Sequence, residues 1–194
     1  MPGFGNLRDL VDAENSGNGR FASWRKSPTQ TTSAGIWFDL SMSPGNPVPN
    51  YYIGVPGVFT PLKRSTDAGL DHGGTVSPKR KMLRQFTALT LTAAATPLPM
   101  ILCDYLGHYP FLDESVTDEQ FLDNTASLTR WTDGAGVQLM AVVVAGQTGG
   151  QTFSVKYTNS AGVSGRVTPN HLMTTQAVNG TILSSAGAAV NSRG

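Results

Sequence analysis

Apolar and polar positions alternate most regularly between Gly134 and Pro169. Val137, Leu139, Ala141 and Val143 interleave with Gln138, Met140, Val142 and Val144, so one face is apolar throughout and the other becomes so midway. Period 2 of this kind predicts a core strand covered on both sides near its end. After a loop of Gly, Gln and Thr, Phe153, Val155 and Tyr157 share one face and Thr152, Ser154, Lys156 and Thr158 the other, the pattern of a strand with one wet side. Asn159 to Gly162 then predicts a tight turn into a third run, Val163 to Thr168. Elsewhere the pattern is weaker. Short strands are predicted at Ile36 to Leu40, at the threonine-rich Gln85 to Ala93, at a buried Met100 to Tyr105, and at Thr174 to Leu183 with Asn179-Gly180 as a turn. Helical spacing of Leu7, Leu10 and Val11 predicts two turns over Asn6 to Glu14, with Asn6 as N-cap and Gly17 near the stop. Ser115 to Leu122 is read as one further helical turn.

These elements give a mainly β chain, an antiparallel β-sandwich or jelly-roll-like barrel with long Pro/Gly-rich loops. Residues 1–34 are an extended N-terminal arm carrying the short helix, 35–183 a single β domain, and 184–194 a C-terminal tail. A helix of two turns is too short to persist alone in water, so the arm is expected to dock on its own sheet or on a neighbouring subunit. Pro44, Pro47, Pro49 and Pro56 stiffen the connection after Leu40.

Composition narrows the partners. Charged residues are 14% of the 194 residues, against a usual ~25%, and the net charge is +1, so no global field steers the chain to nucleic acid or acidic membranes. The surface is neutral and hydroxyl-rich, and partners are found by shape and local contacts. Phe21 and Trp24 beside Arg25 and Lys26 suit an arm lying across another surface, or a plain surface loop. Tyr51 and Tyr52 offer apolar area with a polar tip, which suits an interface. Lys63, Arg64, Lys79, Arg80, Lys81 and Arg84 concentrate basic charge in one loop, which reads as contact with phosphate or with acidic residues of another subunit, or as solvated surface. No aromatic residues interleave with it, which argues against sequence-specific nucleic-acid recognition. The N-terminus has no signal-peptide core and no run reaches the ~18 apolar residues of a membrane span, so a soluble, cytosolically made chain is expected.

Chemistry is sparse. His72, His108 and His171 have no metal-ligand spacing. Asp67, Asp71 and His72, and Asp104, His108 and Asp113, are the two weak clusters, better explained as turns and satisfied surface groups than as acid–base centres. Cys103, in an apolar run, reads as a buried structural thiol. GQTGGQT lacks the Lys-Ser or Lys-Thr and the helix of a phosphate-binding loop, and no GxSxG elbow occurs. A non-enzyme without cofactor or metal is expected.

The segments WFDLSMSPGNPVPNYYIG, LDHGGTVSPK, FLDNTASLTRWTDGAGVQLMAVVVA and GGQTFSVKYTNSAGVSGRVTP resemble virion structural proteins of tailed bacteriophages, over roughly Trp37 to Pro169. The likeness is one of phrasing and carries no catalytic signature. It implies a capsid cement or decoration protein located in the virion and made in the host cytoplasm, bound to the major capsid protein and to copies of itself as a homotrimer. The alternatives are a major capsid or tail-tube protein, or a glycan-binding β-sandwich module with Trp24, Trp37, Tyr51 and Tyr52 as its platform.

Overall fold

A computed structural model describes residues 4–27, 36–74, 76–77, 81–89, 99–113, 115–123, 125–146, 150–173 and 179–183. The chain is mostly non-helical and divides into two units, Met1–Ser23 with Leu70–Asp104, and Trp24–Gly69 with Tyr105–Gly194.

The first unit holds the α-helix expected from the sequence, α1 (Leu7–Asn15). Asn6 caps it by accepting from the Asp9 amide at 3.0 Å, while Asp9 reaches back to the Gly5 amide at 2.8 Å. One orphan donor of the first turn and the amide just ahead of the cap are thereby satisfied, and the acidic side chain also suits the positive end of the helix dipole. Gly17, at φ +71°, follows the last turn. No residue of α1 is buried, and Leu7 and Val11 stay exposed. Beyond α1, Gln85 to Leu89 and Met100 to Asp104 run without strand partners, with Leu89 91% and Ile101 69% exposed. Those two predicted strands are not formed within the described residues; 90–98 lie outside them. Cys103 is exposed, correcting its reading as a buried thiol. An apolar run folds into a strand only where another strand supplies its hydrogen bonds, and none lies alongside among the described residues.

Among the described residues, the second unit is built from five short antiparallel pairs. They join β1 (Arg25–Lys26) to β3 (Gly45–Asn46), β2 (Trp37–Phe38) to β10 (Thr181–Ile182), and β4 (Thr60–Pro61) to β5 (Gly107–His108). The other two join β6 (Thr152–Phe153) to β9 (His171–Leu172), and β7 (Lys156–Tyr157) to β8 (Arg166–Val167). β10 also bonds residues 141–143 through Val143 N to Thr181 O at 2.8 Å, Gly180 N to Val143 O at 2.7 Å and Leu183 N to Ala141 O at 2.9 Å. The Asn179-Gly180 turn is as expected. Gly180 has φ +93°, and a Cβ there would lie 2.8 Å from the Asp39 carbonyl, so only glycine fits.

The core beside this three-segment ladder consists of Met42, Tyr52 and Leu62, with Tyr105, Val142 and Val144 packed against it; Val143 is 1% exposed. The predicted strand 137–144 is therefore realised only in its second half. Leu139 is 63% exposed and Val137 and Met140 are exposed too, because Gly134 and Gly136 hold positive φ and the ladder starts at Ala141. The predicted meander is closer to expectation. Residues 150–173 form one interrupted hairpin: β6–β9 and β7–β8 are joined by Thr168 N to Val155 O at 2.9 Å, and its tip is closed by Asn159 N to Val163 O at 3.0 Å. Two residues, 154–155, face three, 168–170, so the arm carries a bulge.

The expected helical turn over 115–122 is absent from the described residues. Gln120 Oε1 accepts from the Asp113 amide at 2.9 Å while its Nε2 donates to the Asp113 carbonyl at 2.7 Å. Asp113 Oδ1 also accepts from the Ser115 amide and hydroxyl. Side chains here bond the backbone of residues 113 and 115 directly, a local alternative to a helical turn.

Candidate functional site

The sequence-derived contact residues fall into two groups once their bonds are traced. Phe21 is 90% and Tyr51 52% exposed, and Arg25 is exposed on β1. These three are available to a partner. Trp24 is half-buried, and its indole N–H donates to the Ala68 carbonyl at 2.9 Å. Lys26 is used internally. Its ammonium donates to the carbonyls of Ser41, Ser43 and Pro47 at 3.0, 3.2 and 2.8 Å and sits 5.5 Å from the centre of the Trp24 ring. Desolvation pulls the Lys26 pKa down, and the Asp39 charge opposes that.

Tyr52 anchors the core instead of an interface. It is 6% exposed, and its hydroxyl donates to Asp39 Oδ2 at 2.5 Å and lies 2.7 Å from Ser41 Oγ. Asp39 Oδ1 accepts from the Ser41 amide at 2.8 Å, which caps the short 3-10 turn Leu40–Met42. Burial raises the Tyr52 pKa, helped by the Asp39 charge and hydrogen bond, so the phenol stays protonated. The residue adopts φ +51°, costly for a bulky side chain, and the surrounding network holds it there.

In the first unit, Lys81 donates to the carbonyls of His72 and Gly73 at 2.9 and 2.8 Å and lies 3.2 Å from His72 Nδ1. Arg84 pairs with Glu14 at 2.8 Å, and Arg20 with Asp71 at 3.0 Å. Half of the four-residue basic cluster is thus committed to its own chain; Lys79 and Arg80 lie outside the described residues. Asp71 and His72 are each taken up by a basic side chain, and Asp67 accepts from the Gly69 amide as a turn residue.

His108 borders a cavity of about 310 Å³ together with Asn50, Tyr51, Ile53 and Thr60. Both of its ring nitrogens are buried without a hydrogen-bond partner, as is Asn50 Nδ2. Its ring meets Tyr52 edge-on at 5.2 Å. Desolvation lowers its pKa; the nearby carbonyls of Ile53 and Tyr52 counter this in part without reaching hydrogen-bond geometry. Asp113 is exposed, and its carboxylate is held below the usual range by Ser115. No group of three or more His, Cys, Asp or Glu that could hold a metal ion occurs among the described residues, and no described helix is long and apolar enough to cross a membrane.

Two features lie outside the sequence-based expectations. Arg130 donates to the Leu62 carbonyl at 2.8 Å and the Tyr105 carbonyl at 2.6 Å, tying three distant segments together. The Asp39–Ser41–Tyr52 network is foreshadowed only by the Asp-x-Ser spacing, which favours a local side-chain cap. Large apolar side chains are left exposed, while Lys26, Asp39, Asp71, Lys81 and Arg84 are bonded within the chain.

Comparison with protein-family models, with curated proteins and with solved structures found no match.

Proposed function

We propose that this chain is a non-enzymatic structural protein of a phage virion, a capsid cement or decoration protein that stabilises the head by bridging major capsid subunits. The observation that carries the reading is the exposure of large apolar side chains in both units, with Phe21, Leu89 and Phe121 each at least 85% exposed. Scattered exposed apolar residues are ordinary, but this many of full aromatic or aliphatic size on a chain of low charge fits one that completes its burial against partners. The short ladders would extend, in the assembled state, into the closed antiparallel sandwich or jelly-roll-like barrel that the alternation favours. Partners are the major capsid protein and copies of the chain itself, arranged as a homotrimer.

The exposed Arg25 lies between Trp24 and Lys26, both held by the fold, so it can present its side chain from a fixed base. Quantitative mass spectrometry of particles containing the chain tests the reading. A stoichiometric copy number beside a distinct, more abundant shell protein supports it. A chain that is itself the most abundant shell or tube component points to the major structural role, and its absence from particles overturns the virion reading.

A further inference from the structure

Charge is segregated along this nearly neutral chain. Residues 134–194 contain no Asp or Glu, and their Lys and Arg are Lys156, Arg166 and Arg193. Residues 85–129 contain no Lys or Arg, and their carboxylates are Asp104, Asp113, Glu114, Asp118, Glu119 and Asp123. The hairpin 150–173 belongs to the first set and the loop 111–123 to the second, and no described ion pair joins Lys156 or Arg166 to any carboxylate.

The hairpin is also incomplete as a sheet. Among the described residues its strands pair only with each other, and a two-stranded ribbon alone is marginally stable in water. The register Thr152↔Leu172 and Lys156↔Val167 places these four residues on one face of the ribbon. All four are exposed, Val167 by 58% and Leu172 by 41%. That face is apolar at two positions with a cation beside them. The acidic loop is its counterpart: Phe121 is 85% and Val116 45% exposed, next to Asp118 and Glu119, which are exposed as well.

We propose that the outer face of the 150–173 hairpin docks on the 111–123 loop of a second copy of this chain, with Phe121 seated near Val167 and Leu172 and with Lys156 meeting Asp118 and Glu119. Two different patches meet, so the contact is head to tail, closing into a ring or continuing as a filament according to the rotation between copies. Apolar burial supplies the attraction, and the charges set register and exclude the reverse pairing. The proposal rests on the structural-protein reading only in taking a second copy as the partner.

The test uses the purified full-length chain and two charge-reversed variants, K156E and D118K/E119K, followed by sedimentation velocity over a concentration series. All three positions are exposed, and circular dichroism establishes that each variant keeps its fold. The wild type is expected to associate, more strongly at low salt. Each variant alone presents like charges to itself, and its association weakens by roughly tenfold or more. An equimolar mixture restores association, because each reversed patch then faces its complement. A wild type that stays monomeric, variants that associate as well as the wild type, or a mixture that fails to recover would each overturn the contact. A monomeric wild type that binds purified shells would identify the shell protein as the occupant instead. Failure here leaves the particle composition untouched, and absence from particles leaves this assay untouched.

Discussion

The Tyr52 hydroxyl donates to Asp39 Oδ2 at 2.5 Å, joining a buried aromatic at positive φ to a carboxylate that is only 7% exposed. The bond keeps a buried charge satisfied and fixes the turn that carries Ser41 and Met42 into the core. Tyr52→Phe keeps the ring and removes one of the donors to Asp39. The expected loss is about 1–3 kcal/mol, the usual cost of stripping a partner from a buried polar group. Urea unfolding measures it, and a loss below about 0.5 kcal/mol would show the carboxylate to be solvated in the native state.

His108 makes stability depend on pH in one direction. Its pKa in the folded chain is depressed below the ordinary 6.5 by burial, so the unfolded chain binds a proton that the native site resists. The stabilisation is whole above the unfolded value and is lost as pH falls through 6.5 towards the folded value. His108→Phe preserves the edge-on ring contact with Tyr52 and cannot be protonated. Melting temperatures followed from about pH 7.5 to 5 should fall more steeply for the wild type than for this variant. Parallel curves would mean that the ring hydrates freely when charged.

Lys26 sets where the N-terminal region can be cut. A deletion of residues 1–23 keeps Trp24, the β1–β3 pair and the three carbonyl contacts of Lys26. A deletion of 1–32 removes all of them and leaves the carbonyls of Ser41, Ser43 and Pro47 without this donor. The shorter deletion is expected to leave the Met42–Tyr52–Leu62 core protected in hydrogen exchange, and the longer one to open it. Lys26→Met in the full chain should reproduce part of the effect, about 1–3 kcal/mol, while Arg25→Ala on the same strand should change stability by less than about 0.5 kcal/mol. Equal protection after both deletions would mean that the carbonyls find water at no cost.

Local signals were legible in the sequence, and non-local ones were not. Asn6, Gly17 and Asn179-Gly180 act within a few residues, and each appears where its chemistry requires. The hairpin 150–173 was readable because both strands and the turn lie in one stretch. Val137 to Met140 and Met100 to Asp104 carry the same apolar signal as Val143 yet stay exposed. Apolar pattern reports which residues profit from burial; a pairing strand decides which obtain it. The contact residues divide likewise, since Lys26 and Tyr52 have the composition of an interface and are consumed by partners 11 to 21 positions away in sequence.

Arg130 shows how far such long-range contacts reach. Its guanidinium spans the carbonyls of Leu62 and Tyr105, 68 and 25 residues distant, on the two chains leading into the β4–β5 pair. A planar fork can serve both acceptors at fixed spacing, and an ammonium on a flexible stem holds one well at best. Arg130→Lys is therefore expected to cost about 1 kcal/mol and Arg130→Ala about 2–3 kcal/mol. Because Leu62 belongs to the core cluster, both should loosen the packing against Tyr105 and raise hydrogen exchange at the Leu62 amide, which donates to Leu106 O at 3.1 Å. If Arg130→Ala unfolded at the wild-type urea midpoint with unchanged exchange at Leu62, the fork would be a surface decoration and the β4–β5 pair would hold without it.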